Sequence, residues 1–199
     1  MNDFEIVVNK IVKNSEISQN GHFNESNNAQ LSLISKRSLY NIFSEISTVY
    51  KKEELGGLKE YKISELVLRF LGYFNHNSAY IGGDIYILSI DKLIIENSEL
   101  APGAFLIKYG FLAIAKTTGG NSICIDLNNP NTDDPRVLIA DKSVFCDRVI
   151  YSFEKGRMIK EELSLETINK YATIICERFS EFLRMLSKNE ISDFEVYLQ

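Results

Sequence analysis

The segment FLIKYGFLAIAKTTGGNSICIDLNNPNTDDPRVLIADKSVF, residues 105–145, constrains the fold of this 199-residue chain more than any other. Two apolar runs flank Thr117, Thr118, Gly119 and Gly120, and paired glycines take the positive φ of a tight hairpin without a Cβ clash. Ile123, Ile125 and Leu127 then alternate with Ser122, Cys124 and Asp126, the period of a strand with one buried and one wetter face. Residues 111–115 are apolar at every position, which predicts a central strand covered on both sides. Asn128, Asn129, Pro130, Asn131, Thr132, Asp133, Asp134 and Pro135 read as a turn-forming connection, after which 136–141 resumes extended alternation. The result is most of a β-meander.

Helical spacing brackets this strand-rich centre. Leu39, Ile42, Phe43, Ile46, Val49 and Tyr50 recur at three and four until Gly56 and Gly57 stop the pattern, and Ser64 caps a second helix striped by Leu66, Val67, Phe70, Leu71 and Phe74. Gly82 and Gly83 precede a strand over 84–89, a short helix or turn follows to Asn97, and 144–153 is a further strand-like run. Ser164 opens what reads as one long amphipathic helix, with Leu165, Ile168, Tyr171, Ile174, Ile175, Phe179, Phe182, Leu183 and Leu186 on a single face. Adjacent strands are joined by connections too short for parallel crossovers. The expected fold is therefore α+β: a single domain with a mainly antiparallel sheet of about four to six strands flanked by helices and closed by that long C-terminal helix. Residues 1–34, with a polar asparagine-rich stretch over 14–30, read as a partly flexible N-terminal extension, and 188–199 as a tail.

Composition narrows the function classes. A hydrophobic content of 45% and a charged content of 25% belong to an ordinary globular chain. The formal net charge of −5, with no block of lysine or arginine, argues against a nucleic-acid partner, because phosphate backbones demand clustered cations. No run approaches the roughly 18 apolar residues of a membrane span, and the first residues lack the pattern of a secretory signal. A cytoplasmic protein with reduced Cys124, Cys146 and Cys176 is expected.

Catalytic readings find little support. His22 and His76 are far apart and no cysteine pair is closely spaced, so neither a metal nor a cofactor is expected. The glycine pairs precede strands rather than helices and lack the lysine of a phosphate loop. A small hydrolase or transferase with Cys124 as nucleophile, on the wetter face of its strand, and a distant base such as His76 stands as the enzymatic alternative.

The order of these motifs resembles the SUKH superfamily, the Smi/Knr-like bacterial immunity proteins. GDIYILSIDKLIIEN is similar to that family's strand and short helix, GFLAIAKTTGGNSICIDLNNP to its glycine-centred hairpin, RVLIADKSVF to the next strand, and ERFSEFLRML to its phenylalanine-rich closing helix, within a domain over 35–187. Asn121 stands where the family commonly has an acidic residue. The resemblance implies a non-enzymatic protein that covers a toxin domain, often a nuclease or deaminase, and neutralises it; the superfamily also contains scaffold and regulatory adaptor proteins. On this reading the hairpin and the acidic turn supply the partner contacts, Asn121, Asp126, Asp133 and Asp134, because such features sit on the surface of a rigid sheet.

Overall fold

A computed structural model describes residues 3–17, 61–74, 78–82, 84–128, 133–154 and 157–190. The helix expected over 39–50, and His22 and His76, lie outside the described residues. Helix α1 (Asp3–Asn14) leads into strand β1 (Ser15–Ile17); α2 (Glu65–Tyr73), β2 (Ala79–Ile81), β3 (Ile85–Ile87) and α3 (Ile90–Ser98) follow. A short helix α4 (Gly103–Leu106) and a 3-10 turn (Ile107–Tyr109) precede β4 (Phe111–Thr117), β5 (Ser122–Asp126) and β6 (Val137–Ala140). The chain continues through β7 (Val149–Glu154), β8 (Arg157–Glu162), α5 (Leu165–Tyr171), β9 (Thr173–Cys176) and α6 (Phe179–Lys188).

The fold is α+β. Seven strands form one antiparallel sheet in the order β1-β2-β3-β4-β5-β6-β9, and β7 pairs with β8 in a separate two-stranded ribbon. The expected meander is its centre. Gly120 takes φ +87° at the β4–β5 turn, where its N–H donates to the Thr117 carbonyl at 3.0 Å. Gly110, at φ +80°, ends the 3-10 turn; a Cβ there would stand 2.6 Å from the Asn128 amide and 2.7 Å from the Tyr61 ring.

Alternation sends each strand's side chains to two cores. Ile85, Ile87, Leu112, Ile114, Ile123, Ile125, Val137 and Ile139 face α1, α2 and α6. Ser64 caps α2 as expected, its Oγ accepting from the Val67 N–H at 3.3 Å. The rings of Phe70 from α2 and Phe179 from α6 meet edge to face at 5.4 Å between centroids. Phe179, Phe182, Leu183 and Leu186 are all buried, each worth roughly 1.5–3 kcal/mol of transfer free energy before entropy. Val8 and Ile11 of α1 belong to this same core, so the first part of the 1–34 extension is built into the domain. On the opposite face Phe111, Ala113, Cys124, Leu138 and Ala140 pack against Leu106, Phe145, Ile150, Leu163 and Ile168.

This second core corrects one expectation: β5 has no wet face. Ser122, Cys124 and Asp126 are as buried as Ile123 and Ile125, because residues from α4 and from 145–168 cover the side that alternation alone assigned to solvent. The long C-terminal helix is corrected too. Ser164 begins it with the expected cap, reinforced by Thr167 in a capping box, but α5 stops at Tyr171 and the β-branched run TIIC leaves it to pair with β6, Leu138 opposite Ile174. A separate α6 then begins. SEI, AYI and TIIC join the sheet as strands that were not expected, the polar RMIKEE pairs with β7 in the ribbon, and the strand expected over 144–153 begins only at Val149. Among the described residues no helix is long and apolar enough to cross a membrane.

Candidate functional site

The four residues expected to meet a partner divide sharply. Asn121 is buried: its N–H donates to the Thr117 hydroxyl at 3.2 Å and its Oδ1 accepts from the Lys142 N–H at 2.9 Å, tying the hairpin tip to the turn after β6. Asp126 is buried as well. Its Oδ2 takes the Arg136 Nε at 2.6 Å and its Oδ1 the Asn128 N–H at 2.8 Å, while Arg136 reaches on to Asn169 of α5. Asp134 sits at the other end of the turn and accepts from the Ser180 N–H at 2.8 Å and hydroxyl at 2.6 Å. It thereby supplies the start of α6 with the cap that Arg178, the residue at its N-terminus, does not. Asp133 alone of the four is exposed. Asp126 and Asp134 thus clasp β5, β6, α5 and α6, while residues 129–132 of the expected turn lie outside the described residues.

Cys124 fares no better as a nucleophile. Its thiol is fully buried, and desolvation first, then the charge of Glu96, pushes its pKa well above the ordinary 9.0. The burial follows from the second core, and it removes both the thiolate and the access that thiol chemistry needs. Among the described residues no group of three His, Cys, Asp or Glu is placed to hold a metal ion.

Glu96 was not legible as special in the sequence. It lies 1% exposed on the inner side of α3, where its Oε2 pairs with the Lys116 ammonium at 2.8 Å and its Oε1 accepts from the Ser122 hydroxyl at 2.8 Å. Both oxygens are occupied, which offsets the cost of burying a polar group inside the fold. Ser122 is fully buried and holds its proton toward Glu96, which makes the trio an anchor of α3 on the sheet rather than a nucleophile and base.

Outward from this anchor runs a surface row. Ser122 lies opposite Lys116, Lys116 opposite Tyr86, and Tyr86 opposite Tyr80, so these four side chains share one face of the sheet. The second core covers the β4–β6 half of that face; the β2–β3 half carries Tyr80 at 40% exposure. The two tyrosine rings tilt together with centroids 4.6 Å apart. Lys92 of α3 sets its ammonium 4.8 Å from the Tyr86 ring centroid and donates to the Tyr86 hydroxyl. A rigid aromatic pair with a cation at its edge offers a large contact area at small entropic cost, the composition of an interface anchor. The signal for it was present in AYIGGDIYI, whose alternation is symmetric about the glycine turn.

Fold and face together define an α+β sheet protein with a tyrosine pair at the surface of its β2–β3 half. No family model matches the chain, and no curated protein or solved structure matches it.

Proposed function

We propose that this chain is a non-enzymatic immunity protein that neutralises a toxin domain by stoichiometric binding, as its resemblance to the SUKH superfamily implies. The observation that carries the reading is the Tyr80–Tyr86 pair edged by Lys92, standing on β2 and β3, whose opposite face is buried in the first core. Interfaces draw most of their affinity from a few aromatic and cationic anchors on preorganised surfaces. The contact surface accordingly centres on the β2–β3 half of the sheet, with Asp133 as an additional exposed acid. Asn121, Asp126 and Asp134 contribute by holding the backbone in shape.

The test is co-expression with a panel of toxin domains in a bacterial growth assay, followed by titration calorimetry on each rescued pair. Rescue with one-to-one binding, weakened about tenfold or more by Tyr86→Ala as expected of an anchor, supports the proposal. Turnover of a substrate by the isolated chain, or absence of rescue across the panel, overturns it. Rescue that survives Tyr80→Ala and Tyr86→Ala unchanged would move the contact elsewhere.

A further inference from the structure

The β7–β8 ribbon stands outside the main sheet, and among the described residues β8 pairs with β7 alone. Two strands with an open edge are a marginal sheet by themselves, and an open edge is a template for another strand. The outward face of the ribbon carries Tyr151 at 55% and Met158 at 69% exposure, the two most exposed large hydrophobic side chains among the described residues.

We infer that the occupant of this edge is β8 of a second copy of the chain, joined antiparallel about a two-fold axis at Ile159. An isologous antiparallel pair must set each residue opposite one that points to the same face, so the axis can fall only on a residue facing itself. Centred on Ile159, Arg157 lies opposite Glu161 of the second copy, twice by symmetry, and Ile159 packs on itself. Met158 then lies opposite Lys160 of the second copy, whose aliphatic stem covers it. Centred on Lys160, the same strands oppose two ammonium groups and set Met158 against Glu162. Centred on Met158, Arg157 no longer meets Glu161. Centred on Glu161, Lys160 meets Glu162 of the second copy but two carboxylates face each other at the axis, so only the Ile159 register forms ion pairs without opposing like charges.

Glu161 is prepared for this role. Lys170 and the Tyr171 hydroxyl both donate to its Oε1, at 2.8 Å and 2.6 Å, and these bonds hold its pKa below the ordinary carboxylate value. Its Oε2 faces Arg157 of the second copy across the new ladder. The joined ribbons make a four-stranded sheet, and dimerisation of this kind does not depend on any toxin partner.

Sedimentation velocity over a concentration series tests it on the full chain. The wild type should approach twice the chain mass at roughly tens of micromolar, while Arg157→Glu and Glu161→Arg should each weaken association about tenfold or more, since opposed like charges replace two ion pairs. Mixing the two variants restores both pairs and should restore the dimer. A wild type that stays monomeric, or variants that associate as tightly as the wild type, would overturn the inference. Should Glu161→Arg fail to fold, Ile159→Cys in a Cys146→Ser background reads the same register: oxidation should link it to itself as a dimer, whereas linkage of Lys160→Cys instead would refute the Ile159 axis.

Discussion

The side-chain amide of Asn97 pairs with both backbone groups of Ala113: its Nδ2 donates to the Ala113 carbonyl at 2.8 Å, and the Ala113 N–H donates to its Oδ1 at 2.9 Å. Strand β3 ends at Ile87, opposite Ala115, and the Leu88 N–H reaches only as far as the Ile114 carbonyl, so beyond that point β4 has no strand neighbour on this side among the described residues. A bulge between Ala113 and Ala115 interrupts the ladder at the same place. One fully buried side chain from α3 thus replaces a missing stretch of strand.

Asn97→Leu should accordingly cost about 2–4 kcal/mol, because it orphans two buried backbone groups. Asn97→Asp should be at least as damaging, since it removes the donor and buries a charge. Urea unfolding monitored by circular dichroism measures both, and a cost under about 1 kcal/mol would show that the β4 backbone finds other partners.

Asp134 and Ser180, 46 residues apart, form the cap of α6. Asp134→Ala should destabilise the fold by about 0.5–2 kcal/mol, the ordinary worth of a helix cap. Ser180→Ala, which keeps the N–H bond, should cost less, and the double variant should fall short of the sum of the singles.

Lys116→Met leaves the Glu96 carboxylate buried without its cation and should cost about 3–5 kcal/mol, whereas the double variant Glu96→Leu, Lys116→Met should recover most of that loss. Thermal unfolding of the three proteins at one pH checks the order. Equal loss in single and double variants would mean that packing, not charge, governs the site.

The cysteines should differ in kinetics and in pH response. Cys146 is exposed and should react with a thiol reagent in the native state, while Cys124 should react only on unfolding. Cys176 is buried in the fold, which pushes its pKa from 9.0 up to about 11. The folded state thus favours the protonated thiol of Cys176. Its contribution to stability is complete below pH 9 and is lost as the pH rises through about 11, and Cys124 acts in the same direction. Unfolding titrations between pH 8 and 11 should show stability falling, with the slope reduced in Cys176→Ala.

Local chemistry made the β4–β5 hairpin, the caps at Ser64 and Ser164 and the helix at α2 readable in the sequence, because each rests on residues within a few positions of one another. The same reasoning misjudged 173–176, where the spacing of Ile174 and Ile175 fits a helical stripe but the β-branched run found a partner in β6. It also missed β8, whose polar sequence shows no alternation of the buried kind because none of its residues is buried.

The candidate site was less legible for a related reason. Asp126, Asp133 and Asp134 form an obvious acidic turn, yet two of the three carboxylates are claimed by Arg136 and Ser180, partners that only the folded chain brings within reach.

By itself, then, the sequence determined the α+β class, the central meander and its turns, since periodicity and turn chemistry act over neighbouring residues. The tertiary structure alone decided which polar groups are spent inside and which remain on the surface. A second layer folding over β5 turned Cys124 and Asp126 inward, and the pairing of β2 with β3 set Tyr80 beside Tyr86 at the surface. Burial is a property of what lies on the far side of a strand, and alternation along the strand carries no record of it.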